Sequence, residues 1–273
     1  MQKSGKAIWP WVLGVVVIGG AGTWLFSDSL RGLVDDMQVP AVQHGAATKI
    51  PPVPASPAAP APPPIQHPVD PRDAADPALP TLADSDGPVL DTLSALFNGD
   101  GALALLLRDH LVQRVVTHID NLDKPSVPTP AMAVRALPGS LQVETVDGTV
   151  HIATANAERY APYVKAFTAL DAGEAGKAYV RLYPLLQQAY AELGQPDAYF
   201  NDRLVAVIDH LLQTPEPPRP LAVTRDERGR YRFADPALQA RSVGQKLLLR
   251  MDAAQAQAVK QQLRAMRAAI SRG

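Results

Sequence analysis

The chain has 273 residues, no cysteine, 27 prolines and a formal net charge of −1. The absence of cysteine excludes disulfide bonds, thiolate metal sites and thiol nucleophiles. The length is sufficient for one globular domain and additional segments.

A run of residues without any charge, 7–27, follows Lys3 and Lys6 directly. At ~1.5 Å per residue, a helix of this length crosses the ~30 Å hydrocarbon layer of a bilayer. We therefore predict a single-pass transmembrane helix over residues 7–27. Because lysines precede it and acidic residues follow it, residues 1–6 are expected to form a cytoplasmic tip at the inner membrane, with the rest periplasmic. A cleaved signal peptide is the alternative, although the apolar run continues past the small residues that a peptidase requires.

Fourteen prolines lie between Pro40 and Pro88. We predict that residues 28–85 are a disordered Pro/Ala-rich linker. In the polyproline II conformation, at ~3.1 Å per residue, such a segment is a semi-rigid spacer of up to ~150 Å. A ligand for a proline-binding domain is the alternative, but no basic residue flanks the run of three prolines.

Residues 86–273 are predicted to form a helical periplasmic domain, so the fold class is mainly α, with one or two short β-hairpins. Asp147-Gly148 is the strongest hairpin signal, and it places Glu144 opposite His151. A second hairpin is expected where residues 221–225 meet residues 230–233. The predicted helices are residues 86–97, 102–122, 157–170, 174–193, 197–213, 242–250 and 252–270.

Helix boundaries and faces follow from capping residues and apolar spacing. Asn156 and Asp252 are predicted to cap the helices that follow them. In the last helix, Lys260, Arg264 and Arg267 lie opposite the apolar positions, so we expect all three on a solvated face.

Several segments resemble an uncharacterised bacterial family, domain of unknown function 3014. They cover most of the globular part, and similar proteins also have an apolar amino-terminal segment, a Pro/Ala-rich spacer and a histidine-proline pair such as His67-Pro68. The resemblance implies a membrane-anchored protein but no catalytic residue, because the family has no established activity. The resembling segments are VVTHIDNL (115–122), NAERYAPYVKAF (156–167), YVRLYPLLQQAYAELG (179–194), FNDRLVAVIDHLL (200–212) and YRFADPALQ with GQKLLLRM (231–251).

No motif indicates catalysis, a metal or a cofactor. No serine lies in a G-x-S-x-G frame and no glycine-rich phosphate loop follows a strand. Asp120, Asn121 and Asp123 resemble a fragment of a calcium loop or a carboxylate pair, but a polar helix end is the simpler interpretation. We predict no catalytic residue, no metal ligand and no small-molecule cofactor.

A group of aromatic and basic residues is the best candidate for a binding surface, since tyrosine and arginine are typical of recognition sites. Partly buried packing residues are the alternative. The candidates are Arg159, Tyr160, Tyr163, Tyr179, Arg181, Tyr183 and Arg203.

Two classes of function remain. The first is a bitopic inner-membrane protein that presents its helical domain on the spacer to an envelope protein or cell-wall partner, without being an enzyme. The second is a membrane-anchored envelope hydrolase that uses carboxylates such as Asp120, Asp123 or Asp202. Residues 219–273 carry twelve basic and four acidic residues, a net charge of +8. We nevertheless expect no nucleic-acid partner, because the predicted compartment contains none.

Overall fold

The computed structural model describes residues 64–70, 78–97, 100–127 and 132–271. They form a mainly helical domain with two antiparallel β-hairpins, which confirms the predicted fold class of the globular part. No helix in these ranges has the length and apolar character needed to cross a membrane. The predicted membrane helix over residues 7–27 lies outside them. The elements are α1 (Asp86–Leu96), α2 (Asp100–Leu103), α3 (Leu111–Asn121), β1 (Val143–Val146), β2 (Thr149–Ile152), α4 (Asn156–Thr168), α5 (Ala172–Glu192), α6 (Phe200–Leu212), β3 (Val223–Arg225), β4 (Tyr231–Phe233), α7 (Pro236–Gln239), α8 (Val243–Arg250) and α9 (Ala253–Ile270).

The last helix, α9, is at the centre of the packing. It contacts α4, α5 and α6, while α5 also contacts α3. Its side chains Val259, Leu263 and Met266 are fully buried, as their three-and-four spacing predicts. Burial of each such side chain contributes about 1.5–3 kcal/mol. A smaller apolar cluster, which includes Ile152 and Phe233, lies under the hairpins.

The first hairpin confirms the prediction made from Asp147-Gly148. Both residues have positive φ angles, 51° and 75°, as a type I′ turn requires. The pairing places Glu144 opposite His151, the predicted register. The second hairpin, β3–β4, also forms, and the two hairpins meet where the backbone N–H of Ile152 donates to the carbonyl of Leu221.

The prediction of one helix over residues 102–122 is wrong. The chain leaves the helical path after α2, and Leu106 pairs with Val134 in an isolated β-bridge. The carboxylate of Asp86 then accepts the backbone N–H groups of His110 and Leu111, both at 2.7 Å. A side chain 24 residues earlier in the chain thus caps α3, a long-range contact that apolar spacing does not encode.

Two other local predictions also differ from the structure. Asn156 lies inside α4 and does not cap it; its side chain bonds the backbone of Gln142 at 2.7 and 3.0 Å. Lys260 is 3% exposed, so it does not lie on a solvated face. Its ammonium group donates to the carbonyl of Thr214 and to Glu216. Asp252, by contrast, caps α9 as predicted.

Residues 64–70, which we call the strap, lie against the start of α6. Asp202 accepts the backbone N–H groups of Gln66 and His67 at 2.9 and 2.6 Å. The hydroxyl of Tyr199 accepts the N–H of Val69 at 2.7 Å, and Asn201 donates to the carbonyl of His67. The sequence places these residues in a linker over 28–85, whereas in the structure this part of the chain contacts the helices.

Candidate binding cleft

Most of the predicted binding-surface residues lie inside the domain. Tyr160 and Tyr179 are 0% exposed, Tyr163 and Tyr183 are buried, and Arg159 is 9% exposed. They do not form an exposed surface, because α4 and α5 turn these residues toward neighbouring helices and loops. Arg181 is exposed and Arg203 is half-buried.

Hydrogen bonds explain why two of these polar side chains, Tyr179 and Arg159, are tolerated inside. The hydroxyl of Tyr179 donates to Asn201 at 2.9 Å, and burial raises the pKa of Tyr179 well above its ordinary value. Arg159 donates to the carbonyls of Pro138 and Gly139 and to Asn156. Tyr179 therefore links α5 to α6, and Arg159 links α4 to the loop at residues 138–139.

Arg203 binds two of the carboxylates that the sequence singles out. It contacts both oxygens of Asp123 at 2.7 Å and one oxygen of Asp120 at 2.7 Å. Burial opposes ionisation of Asp123, but the hydrogen bonds and charge of Arg203 outweigh it and lower the pKa of Asp123. The other oxygen of Asp120 accepts from Lys124 at 2.6 Å. Asp202, the third candidate, holds the strap.

Two adjoining cavities open at the amino-terminal end of α9, and together we call them the cleft. The larger has a volume of about 570 Å³ and lies between the 214–219 connection and α9. The smaller, of about 270 Å³, lies between the first hairpin, the start of α4 and the end of α8. Arg219 lines both cavities, so it stands at their junction.

The cleft contains two guanidinium groups. Arg219 is an exposed residue that donates to the carbonyl of Leu249 at 3.1 Å; partial burial of its side chain lowers the pKa of Arg219, with a partial opposing effect from Asp252. Arg250 is 3% exposed, lies 5.0 Å from the ring centre of Phe233, and lines the smaller cavity. Burial likewise lowers the pKa of Arg250, which nevertheless stays a cation at neutral pH.

Neither arginine is among the site residues predicted from the sequence. Arg219 lies in a proline-rich connection that ends a helix, where nothing in the local pattern indicates a cavity. Arg250 ends the GQKLLLRM segment, and α8 is buried along its whole length. The one sequence signal for Arg250 is that it directly follows the apolar run of α8. A charged side chain on a fully buried helix needs polar partners, which indicates a polar site nearby.

The described part of the chain contains no group of three or more histidine and acidic side chains able to hold a metal ion. A family model described as "Protein of unknown function (DUF3014)" matches residues 111–267. The match spans α3 to most of α9 and so includes both arginines of the cleft. No curated protein and no solved structure matches the chain.

Proposed function

This chain belongs to the DUF3014 family of proteins of unknown function, and we propose that it is a membrane-tethered binding protein rather than an enzyme. Residues 7–27 anchor it in the inner membrane with the amino terminus in the cytoplasm. The proline-rich segment spaces the helical domain from the bilayer on the periplasmic side. The cleft is the site that meets an envelope protein or cell-wall partner.

The single observation that carries this proposal is that the strap and the cleft lie at opposite ends of α9. Asn201 donates both to His67 in the strap and to the carbonyl of Ile270, the last residue of α9. Ala253 and Ala254, at its start, line the cleft. An 18-residue helix is about 27 Å long. The chain therefore reaches the domain from the amino-terminal side at one end of α9, and the cleft opens at the other.

The contacts of the carboxylates favour binding over hydrolysis. A general acid or base needs an oxygen that is free to exchange a proton with a substrate. Both oxygens of Asp120, of Asp123 and of Asp202 are occupied by arginine, lysine or backbone N–H groups. These interactions stabilise the fold and position the strap.

Site-specific photo-crosslinking in whole cells tests the proposal. Gln257 and Gln261 are both exposed and lie one turn apart on α9, but only Gln257 lines the larger cavity. A photo-reactive residue at 257 is expected to give a discrete crosslinked species, and the same residue at 261 is the matched control. Equal crosslinking at both positions, or none at either in a correctly inserted chain, would contradict a binding role for the cleft.

A further inference from the structure

We propose that the cleft binds an apolar ligand that ends in a carboxylate, with that carboxylate seated on Arg219. The inference rests on the proposed binding function and specifies the chemistry of its ligand. It follows from the donors of Arg219, the charge of the cavity walls and their apolar lining.

Arg219 has more N–H donors than its hydrogen bond to Leu249 uses. Its one hydrogen bond to a described residue runs from one terminal nitrogen to the carbonyl of Leu249. Within the described ranges, no ion pair joins its guanidinium to a carboxylate, although the charge of Asp252 acts on it. A guanidinium has five N–H donors in a planar fork that matches the two oxygens of a carboxylate. N–H donors of Arg219 are therefore available to a ligand where the two cavities meet.

The electrostatic balance of the smaller cavity favours an anion. Arg250 contributes a second positive charge from a site screened from water, where charges act more strongly than at a surface. Two acidic residues also line this cavity. Asp252 accepts the N–H of Gln255 as the cap of α9, so the positive end of that helix offsets its charge. Glu144 and Arg219 are both exposed, so solvent screens both of these charges, and buried Arg250 carries the least screened charge in the cavity.

Much of the remaining lining is apolar, although Glu216 and Lys260, which form an ion pair with each other, line the larger cavity, and Thr154 and Asn156 line the smaller. Ile152, Leu221 and Met251 line the smaller cavity, while Pro215, Pro217 and Leu248 line the larger. Volumes of about 270 and 570 Å³ are of the order found for small-ligand pockets, which typically combine apolar walls with a few fixed polar groups. A ligand with an apolar body and one terminal carboxylate matches both features of the cleft.

Calorimetric titration of the full-length chain in detergent micelles tests this chemistry, with titrations into empty micelles subtracted. The probes are N-acetyl-alanyl-leucine with a free carboxylate, its carboxyl-terminal amide, and hexanoate. We expect the free acid to bind at least about tenfold more tightly than the amide, since a charge-assisted bidentate contact is lost in the amide. Arg219→Gln is expected to weaken binding of the acid by a similar factor. Arg228→Gln, at an exposed arginine in the second hairpin, is the matched control and is expected to bind like the wild type.

The outcomes separate the two sources of such a carboxylate. Tighter binding of the dipeptide than of hexanoate identifies a peptide carboxyl terminus, and the reverse order identifies a free aliphatic acid. Equal binding of acid and amide to the wild-type chain, or no binding of either carboxylate at millimolar concentration, overturns the inference without using any variant. Crosslinking at 257 that persists in that case leaves the proposed binding function in place and rejects only the ligand chemistry.

Discussion

Replacing Arg203 by methionine is expected to destabilise the domain, because it removes the cation that joins α6 to the end of α3. The guanidinium makes three contacts of 2.7 Å with the carboxylates of Asp120 and Asp123, and a fourth bond to the carbonyl of Asp120 at 2.6 Å. The arginine side chain is 20% exposed, and the two carboxylates are 19% and 28% exposed. The network is therefore mostly shielded from water.

The magnitude follows from what remains after the substitution. Asp120 keeps its contact with Lys124, whereas Asp123 loses its bidentate partner while it stays partly buried. Loss of one partner of a fully buried pair costs about 3–5 kcal/mol, and an exposed pair contributes less than about 1 kcal/mol. For this intermediate exposure we expect a loss of about 2–3 kcal/mol in the free energy of unfolding, or about 5–10 °C in Tm.

The effect of Arg203→Met should also depend on pH. The pKa of Asp123 is lower in the folded chain than its unfolded value of about 3.9, so its contribution is fully present above pH ~4. It is lost as the pH falls through the folded pKa, and the difference between wild type and variant should shrink there. Urea unfolding at several pH values, followed by far-ultraviolet circular dichroism, measures both the loss in the free energy of unfolding and its dependence on pH. The control is Arg264→Met, at an exposed arginine on α9. A loss no larger than that of the control, or no change in the difference at low pH, would refute the reasoning.

Three further predictions concern close packing, the strap and a buried lysine. Gly244→Ala should destabilise by about 1–3 kcal/mol in urea unfolding, because the new Cβ would lie 2.9 Å from the backbone oxygen of Leu122, whereas Gly87→Ala, with nothing within 4 Å, should be neutral or stabilising. Asp202→Ala should speed amide hydrogen exchange in the strap without unfolding the helices; unchanged exchange would show that these two hydrogen bonds do not hold it. Burial, with Arg250 and Arg232 nearby, lowers the pKa of Lys246 to about 8, so the folded chain binds fewer protons than the unfolded chain above that pH, and the free energy of unfolding should rise between pH 8 and 9.5. Lys246→Met should remove this rise, and a rise that persists in the variant would assign it to another group.

Local sequence signals predicted the elements that local interactions determine. Asp147-Gly148 specified the first hairpin and its register because both residues adopt positive φ in a type I′ turn. Asp252 specified the start of α9 because its side chain bonds a backbone N–H three residues later. In each case, the residues that determine the structure lie within a few positions of one another.

The structural features that the sequence does not indicate involve contacts between distant parts of the chain. Asp86 caps α3 from another helix, and Asp202 holds the strap through backbone N–H groups that any residue except proline supplies. Neither contact leaves a recognisable sequence pattern near the aspartate that accepts the hydrogen bonds. The cleft could not be predicted for the same reason, since Arg219 meets the end of α8 only after the hairpins and α9 have packed.

The tertiary contacts also change the interpretation of the basic carboxyl-terminal region. Four of its cations, Arg230, Arg232, Lys260 and Arg267, contact carboxylates, and Lys246 and Arg250 are buried. The net charge of +8 is therefore not displayed as one continuous surface of the kind that binds a polyanion. Arg250, which is buried, and Arg219, which is exposed, instead line one cavity. A pair of guanidinium groups that line one small cavity favours a single small anionic group over an extended charged polymer.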